Sequence, residues 1–280
     1  MAKVLKRNLP YVPLIIWSVI ILFPLYWIII TSFKLPVDVN RGVTLLPWVD
    51  FTPSLHAWQD LANGAIPVAE PLRNSFLSAS LSAIVATALG GMAGYGLSRF
   101  SYRWGPWRNN DIAFWFISQR MLPPAAAILA YMVLFNKLHL LDSVAGLTIA
   151  YIGFNLPFAI WIMRDFFAGL PRELEEASLT EGASWWTTFW KISLPLAVPG
   201  LAATGILVFI FSWNEYLFAS LLAFEKAKTM PVTLAGMATA IGIRWWLMSA
   251  LAIVSMVPTI ILGLLLERYI VRGLTAGALK

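Results

Sequence analysis

Few residues here have the means to do chemistry, and those few sit in apolar company. Arg120, Asn155, Asn214 and Glu215 are polar or charged side chains inside long hydrophobic stretches. A guanidinium at the centre of a membrane helix costs roughly 2.5–3.5 kcal/mol on insertion scales, so Arg120 demands a partner or water. Pro123 and Pro124 follow it closely, which predicts a broken helix whose freed carbonyls only a cavity or neighbouring protein can satisfy. Arg120 therefore reads either as a lining of a translocation path or as a structural group, in a buried ion pair or near the membrane interface. Asn214 and Glu215 carry oxygens that accept bonds from the hydroxyls of a polar cargo, and the same oxygens suit contacts between helices. Asn155, beside Pro157, is a further candidate of this kind.

Other chemistries lack their residues. There is no cysteine, so disulfides, thiolate catalysis and thiolate metal sites are excluded. His56 and His139 are isolated in regions expected to be outer loops, no HExxH occurs, and no metal site is expected. No Gly-Lys pair occurs, hence no Walker A lysine motif, so ATP-derived energy would have to come from another subunit. A basic balance of +6 might suggest nucleic acid, but the Lys and Arg residues stand singly beside apolar runs, which fits membrane anchoring.

The elements that hold these residues are membrane helices. Hydrophobic residues make up 59% of the 280-residue chain and charged residues 12%, too little polar surface for a water-soluble globule. The 14 tryptophans suit the two membrane boundaries. About 20 apolar residues span a hydrocarbon layer of about 30 Å. Six stretches qualify: Val12 to Phe33, Asn74 to Ser98, Ile112 to Phe135, Val144 to Met163, Leu201 to Leu222, and Leu247 to Val271. With the N-terminus in the cytoplasm, twelve basic residues fall inside and seven outside, Arg120 being left within a span, which satisfies the positive-inside rule. Both termini are then cytoplasmic. No internal repeat or linker divides the chain, so residues 1–280 read as one transmembrane domain, with outer loops at about 34–73 and 223–246 and a charged inner loop at about 165–200. Six helices without duplication are half of what many transporters use, which implies a second membrane subunit.

The inner loop reads LPRELEEASLTEGASWWTTFWKISLPLAVPG. Pro171 suits a first helical turn, and Glu173, Glu175 and Glu176 suit its positive dipole end. Gly182 permits a break, and an aromatic second stretch runs to Pro195 and Pro199. A short helix-break-helix is expected on the cytoplasmic face.

The run Glu176-Ala177-Ser178, Gly182, Ile192, Leu194 and Pro195 resembles the EAA loop of ABC importer permeases, matching its spacing throughout and departing only in Ser178, where that loop usually has Ala. The tail ERYIVRGLTAGALK, with SQRMLPP at Ser118 to Pro124, GYGLSRF at Gly94 to Phe100 and WNEYLFA at Trp213 to Ala219, is similar to the maltose-type (MalG-like) carbohydrate permeases. The resemblance implies an all-α type I importer permease in a bacterial cytoplasmic (inner) membrane, with those seven loop residues coupling it to an ATPase. It also implies a carbohydrate or polyol cargo, a homologous second permease, two ATP-hydrolysing subunits that hold the ATP and Mg, and an extracytoplasmic solute-binding protein. No cofactor is expected on this chain. Two other functions remain to be weighed: a self-sufficient secondary transporter using Arg120 and Glu215 for ion coupling, and an intramembrane enzyme, for which the chain lacks a nucleophile-base pair or metal triad.

Overall fold

The computed structural model describes residues 11–239 and 242–277, so Lys3, Lys6, Arg7 and Lys280, on which the expected orientation partly rests, lie outside the described residues. Among the described residues four helices are long and apolar enough to cross a membrane alone: α1 (Tyr11–Ser32), α4 (Ala69–Arg99), α7 (Val144–Ala168) and α13 (Trp245–Gly277). Between α1 and α4 lie two short helices, α2 (Pro36–Asn40) and α3 (His56–Ala62), so the outer loop carries local structure. Two bent pairs raise the number of spans to six if each pair is one crossing. Among the described residues, two antiparallel pairs of two-residue strands, β1 (Arg103–Trp104) with β2 (Trp107–Arg108) and β3 (Ala238–Thr239) with β4 (Gly242–Ile243), and an isolated bridge between Pro47 and Phe51 interrupt the all-α character.

The first bent pair joins α5 (Asn109–Ser118), with a 3-10 turn at Gln119–Met121, to α6 (Pro124–Lys137) at 86°. The break falls at Leu122 and Pro123, where the sequence predicts it: Pro disfavours helix in the residue before it and supplies no N–H. The second is bent by 71° and corrects two expected boundaries. The inner stretch, α9 (Trp185–Thr188), a π-helical turn at Phe189–Ser193 and α10 (Leu194–Leu196), runs past Pro195 without stopping there. The helix after it, α11, covers Val198–Trp213 instead of reaching Leu222; residues 214–216 interrupt it before α12 (Leu217–Leu222).

Contacts divide the chain into two compact units, one of Met1–Ala69 with Thr233–Val257 and the other of Glu70–Val232 with Pro258–Lys280. In the first, α1 leaves its apolar side chains from Tyr11 to Phe23 exposed almost all round, the signature of a helix solvated by lipid or by another chain. The end of α1 is anchored by Lys34, which is 2% exposed: its Nζ donates to the Thr44 carbonyl at 2.6 Å and sits 4.5 Å from the Trp27 ring.

In the second unit α7 is the central helix. Gly90 and Gly94 of α4 meet it so closely that an added Cβ would stand 2.6 Å from the Ala159 Cβ and 2.6 Å from the Arg164 nitrogen. The GxxxG spacing thus does what small residues do in membranes, bringing two backbones into contact. Ala79, Ala83 and Ala86 continue the small face of α4 against Val208, Phe209 and Trp213 of α11. At the other end Tyr95, Phe167 and Phe189 form an aromatic cluster beneath the inner loop, with ring centroids 4.8–6.4 Å apart.

Candidate functional site

The inner loop folds from its own local signals. Helix α8 (Glu173–Thr180) starts with Glu173, Glu175 and Glu176 in its first turn. It ends in a Schellman motif: the Gly182 N–H donates to the Leu179 carbonyl and the Ala183 N–H to the Ser178 carbonyl, both at 3.1 Å. Gly182 has φ of +88°, a left-handed conformation that a Cβ would strain, and an added Cβ there meets nothing within 4 Å. Ser184 then caps α9 by accepting from the Thr187 N–H at 3.2 Å. The two short helices are pinned together by Ser178 and Thr188, whose hydroxyls lie 3.1 Å apart. The Ser178 departure from the resembled pattern therefore makes a bond that alanine cannot.

On this hairpin Glu176, Ala177, Gly182 and Pro195 are exposed, Ile192 and Leu194 are half-buried, and Leu194 packs on the Tyr95–Phe167–Phe189 cluster. Of the seven motif residues, Glu176 and Ala177 on α8, Gly182 in the turn and Pro195 on α10 are thus exposed, while Ser178, Ile192 and Leu194 are partly covered. Trp186 and Trp190 stay exposed with ring centroids 5.6 Å apart, while Trp185 packs on Phe100 at 5.0 Å.

Sequence reasoning missed the residue next door. Glu175 is 3% exposed, and its Oε2 accepts from Arg99 Nε at 2.7 Å in an ion pair with both side chains out of solvent. Its Oε1 accepts from the Ser193 hydroxyl at 2.8 Å. The signal lay in helical phase: adjacent glutamates point about 100° apart on a helix, so Glu175 and Glu176 cannot share a face.

The four apolar-segment candidates separate. Arg120 is half-buried, and no carboxylate among the described residues forms a salt bridge with it. Its guanidinium lies instead over Phe154, Phe158 and Phe211, at 4.6, 5.1 and 5.1 Å from their centroids. Of the alternatives open for Arg120, an ion pair is not the one seen among the described residues: aromatic faces take its place, and their quadrupoles attract a cation without adding a charge to be desolvated. Asn155 is 1% exposed and donates to Ser212 Oγ at 3.0 Å, and Ser212 lies 2.8 Å from Ser82 Oγ. This polar chain joins α7, α11 and α4. Glu215 accepts from the Phe218 and Ala219 N–H groups at 3.0 and 3.1 Å, capping α12, while Asn214 is exposed and donates back to the Ile210 carbonyl at 2.9 Å. These four do different work: Asn155 joins helices, Glu215 caps one, Arg120 lies over aromatic faces, and Asn214 is exposed.

Two polar sites in segments expected to lie outside also escaped sequence reasoning. Asp142, with φ of +51°, accepts from the N–H groups of Phe224, Glu225, Lys226 and Ala227 at 2.9–3.1 Å. Burial pushes its carboxyl upward, but those four bonds prevail and hold it below the ordinary carboxylate range. Lys34 is pulled below the usual lysine range by burial, with Asp38 and Asp50 opposing. Beside it a cavity of about 510 Å³ is lined by Trp27, Thr31, Lys34, Trp245 and Ser249 among others. His56, expected in a loop, opens α3 with its Nε2 3.6 Å from Asp60.

Long apolar helices, two of the spans sharply broken, and a partly exposed helical hairpin between α7 and α11 fit a polytopic membrane protein, and comparison with solved structures agrees with that fold. The chain aligns over 96% of its length, and 98% of the other's, with a subunit of a bacterial ABC transporter involved in the import of the acidic polysaccharide alginate, at a TM-score of 0.66 and 22% identity. The same kind of transporter in complex with an alginate pentasaccharide-bound periplasmic protein gives a TM-score of 0.69 at 13% identity, covering 96% of each chain. The fold is that of a type I ABC importer permease. Residues 86–275 match the model of the family "binding-protein-dependent transport system inner membrane component", and the chain belongs to that family. Among its relatives, the trehalose/maltose transport system permease protein MalG of Thermococcus litoralis is 33% identical over 99% of this chain and 98% of its own. The trehalose transport system permease protein SugB of Mycobacterium tuberculosis is 33% identical over 92% of each. The protein is therefore a multi-pass membrane component of a binding-protein-dependent transport system.

Proposed function

We propose that this chain is the permease subunit of an ATP-driven importer that moves a carbohydrate, a sugar or polyol, across a bacterial cytoplasmic membrane by alternating access. All 280 residues act as one permease domain with both termini in the cytoplasm. It works with a homologous second permease, two ATP-binding subunits and an extracytoplasmic solute-binding protein, and it hydrolyses no ATP itself; ATP and Mg belong to the partner subunits. The observation that carries this reading is the hairpin of α8 and α9, which offers Glu176 and Ala177 on an exposed face beside a glycine turn while seating Leu194 on the membrane helices. A docked ATPase would push the exposed edge, and the seated edge would pass the push to α7 and α11. The saccharides in the names of two relatives support the cargo class. Arg120 and Asn214 are the path candidates, because Arg120 is only half-buried and Asn214 is exposed, whereas Asn155 and Glu215 hold helices in place.

The test is affinity purification of the chain from its native membrane in mild detergent, with mass spectrometry of its partners and ATPase assay of the eluate. Recovery of a second permease and a Walker-motif ATPase is expected. A lone chain, free of ATPase, that still transports would favour the secondary transporter and overturn the proposal.

A further inference from the structure

We propose that the Arg99–Glu175 ion pair is a relay that carries movement of the inner hairpin into α4, so that a third membrane helix responds to the ATPase directly. This rests on the reading of the hairpin as the ATPase contact. The peptide chain itself joins α8 only to α7 before it and, through α9 and the π-helical turn, to α11 after it. Any other membrane helix must be reached through side chains. Arg99 is the last residue of α4, and its Nε donates to Glu175 Oε2 at 2.7 Å with the two side chains 2% and 4% exposed. Two further bonds run beside that pair in opposite directions: Arg99 Nη2 donates to the Leu170 carbonyl at 3.4 Å, and Arg172 Nη2 donates to the Ser98 carbonyl at 3.2 Å. Separating two buried charges leaves each without compensation, so the pair resists pulling apart and moves as a unit.

The same carboxylate also holds the far side of the hairpin. Glu175 Oε1 takes the Ser193 hydroxyl at 2.8 Å, and Ser193 ends the π-helical turn just before α10. A π turn widens the helix by one residue and occurs preferentially at functional positions. One side chain therefore gathers the last turn of α4, the first turn of α8 and the entry to α10. Its neighbour Glu176 faces outward. The paired glutamates divide the work: the outer one meets the ATPase, and the inner one transmits to the membrane. Once α4 is displaced at Arg99 it cannot slide independently, because Gly90 and Gly94 set its backbone against Ala159 and Arg164 of α7.

The experiment uses the complete complex in lipid nanodiscs. Hydrogen exchange is followed in the cytoplasmic ends of α4, α7 and α11, with and without Mg-ATP and vanadate. In the wild type all three ends are expected to respond. Glu175→Gln keeps the size and an acceptor for Ser193 but removes the charge, and it should reduce the α4 response at least threefold while α7 and α11 still respond. Arg99→Lys keeps the charge and should retain most of the α4 response. An α4 response equal in wild type and Glu175→Gln would overturn the relay. So would an equal loss in all three helices of both variants together with a lowered melting temperature, because that is the behaviour of a structural staple. A wild-type complex in which no helix responds would instead overturn the ATPase-contact reading, and the relay with it.

Discussion

Two carboxylates at different points of the same compact unit each tie together segments far apart in sequence, and they do it in opposite ways. Glu175 binds side chains, Arg99 and Ser193, on elements 76 residues before it and 18 after. Asp142 binds four consecutive backbone N–H groups, Phe224 to Ala227, more than 80 residues away. A row of amides has one geometry, so Asp142 is a staple that fixes the segment after α12. Side-chain partners on separate helices can travel with whatever carries them, so Glu175 is a joint. On the relay proposal, the end of the unit at Glu175 transmits, and the end at Asp142 holds shape.

Breaking that contrast should show first at Arg99. Arg99→Ala leaves the Glu175 carboxylate buried without its partner, and a loss of about 3–5 kcal/mol is expected. Thermal unfolding of the purified complex checks it. Asp142→Asn keeps the oxygen that accepts from Phe224, Glu225 and Ala227 but turns an amide toward the Lys226 N–H, which should cost about 1–3 kcal/mol. In that variant exchange should quicken in residues 224–227 while the uptake gained per ATP stays as in the wild type.

The Asp142 contribution has a defined pH signature. Its folded carboxyl titrates below the ordinary value of 3.8, so its stabilisation is present above that value and is lost as pH falls through the depressed folded one. Melting temperatures taken downward from pH 5 should show this loss in the wild type, and Asp142→Asn should lack it.

Gly182→Trp should cost about 1–2 kcal/mol, because a residue with a Cβ is forced into a left-handed conformation although open space surrounds it. Its larger consequence is functional: uptake per ATP hydrolysed should collapse in a well-expressed variant, and normal coupling would count against the hairpin as transmitter. The smallest effect is expected at Ser82→Ala, which removes one buried hydroxyl contact to Ser212, at about 0.6 kcal/mol. A change in coupling there would blur the division between joint and staple.

Much of this architecture is legible in the sequence because lipid makes apolar length decisive. The break after Arg120 was readable from Pro123, and the turn at Gly182 from its glycine. The end of α11 was not, because hydropathy averages over the polar pair that ends it: Asn214 bonds back to Ile210, and Glu215 supplies the cap for α12, a local competition between side chain and backbone. Motif spacing marks the inner loop, but it does not tell which of its glutamates is buried. Glu175 finds Arg99 only after α4 has packed along α7, and no pattern within either segment announces the other. Arg120 is a similar case. Its need for a partner was plain, but the three phenylalanines that meet it come from α7 and α11.

The central claim, that the α8 face around Glu176 meets an ATPase, can be tested at a single atom. The chain has no cysteine, so Ala177→Cys offers one exposed thiol for a photo-crosslinker. In an intact, ATP-hydrolysing complex the crosslinked product should contain the ATPase subunit, and its yield should change at least twofold on adding Mg-ATP. Crosslinks to lipid or to the second permease alone, with no ATPase captured, would contradict the account.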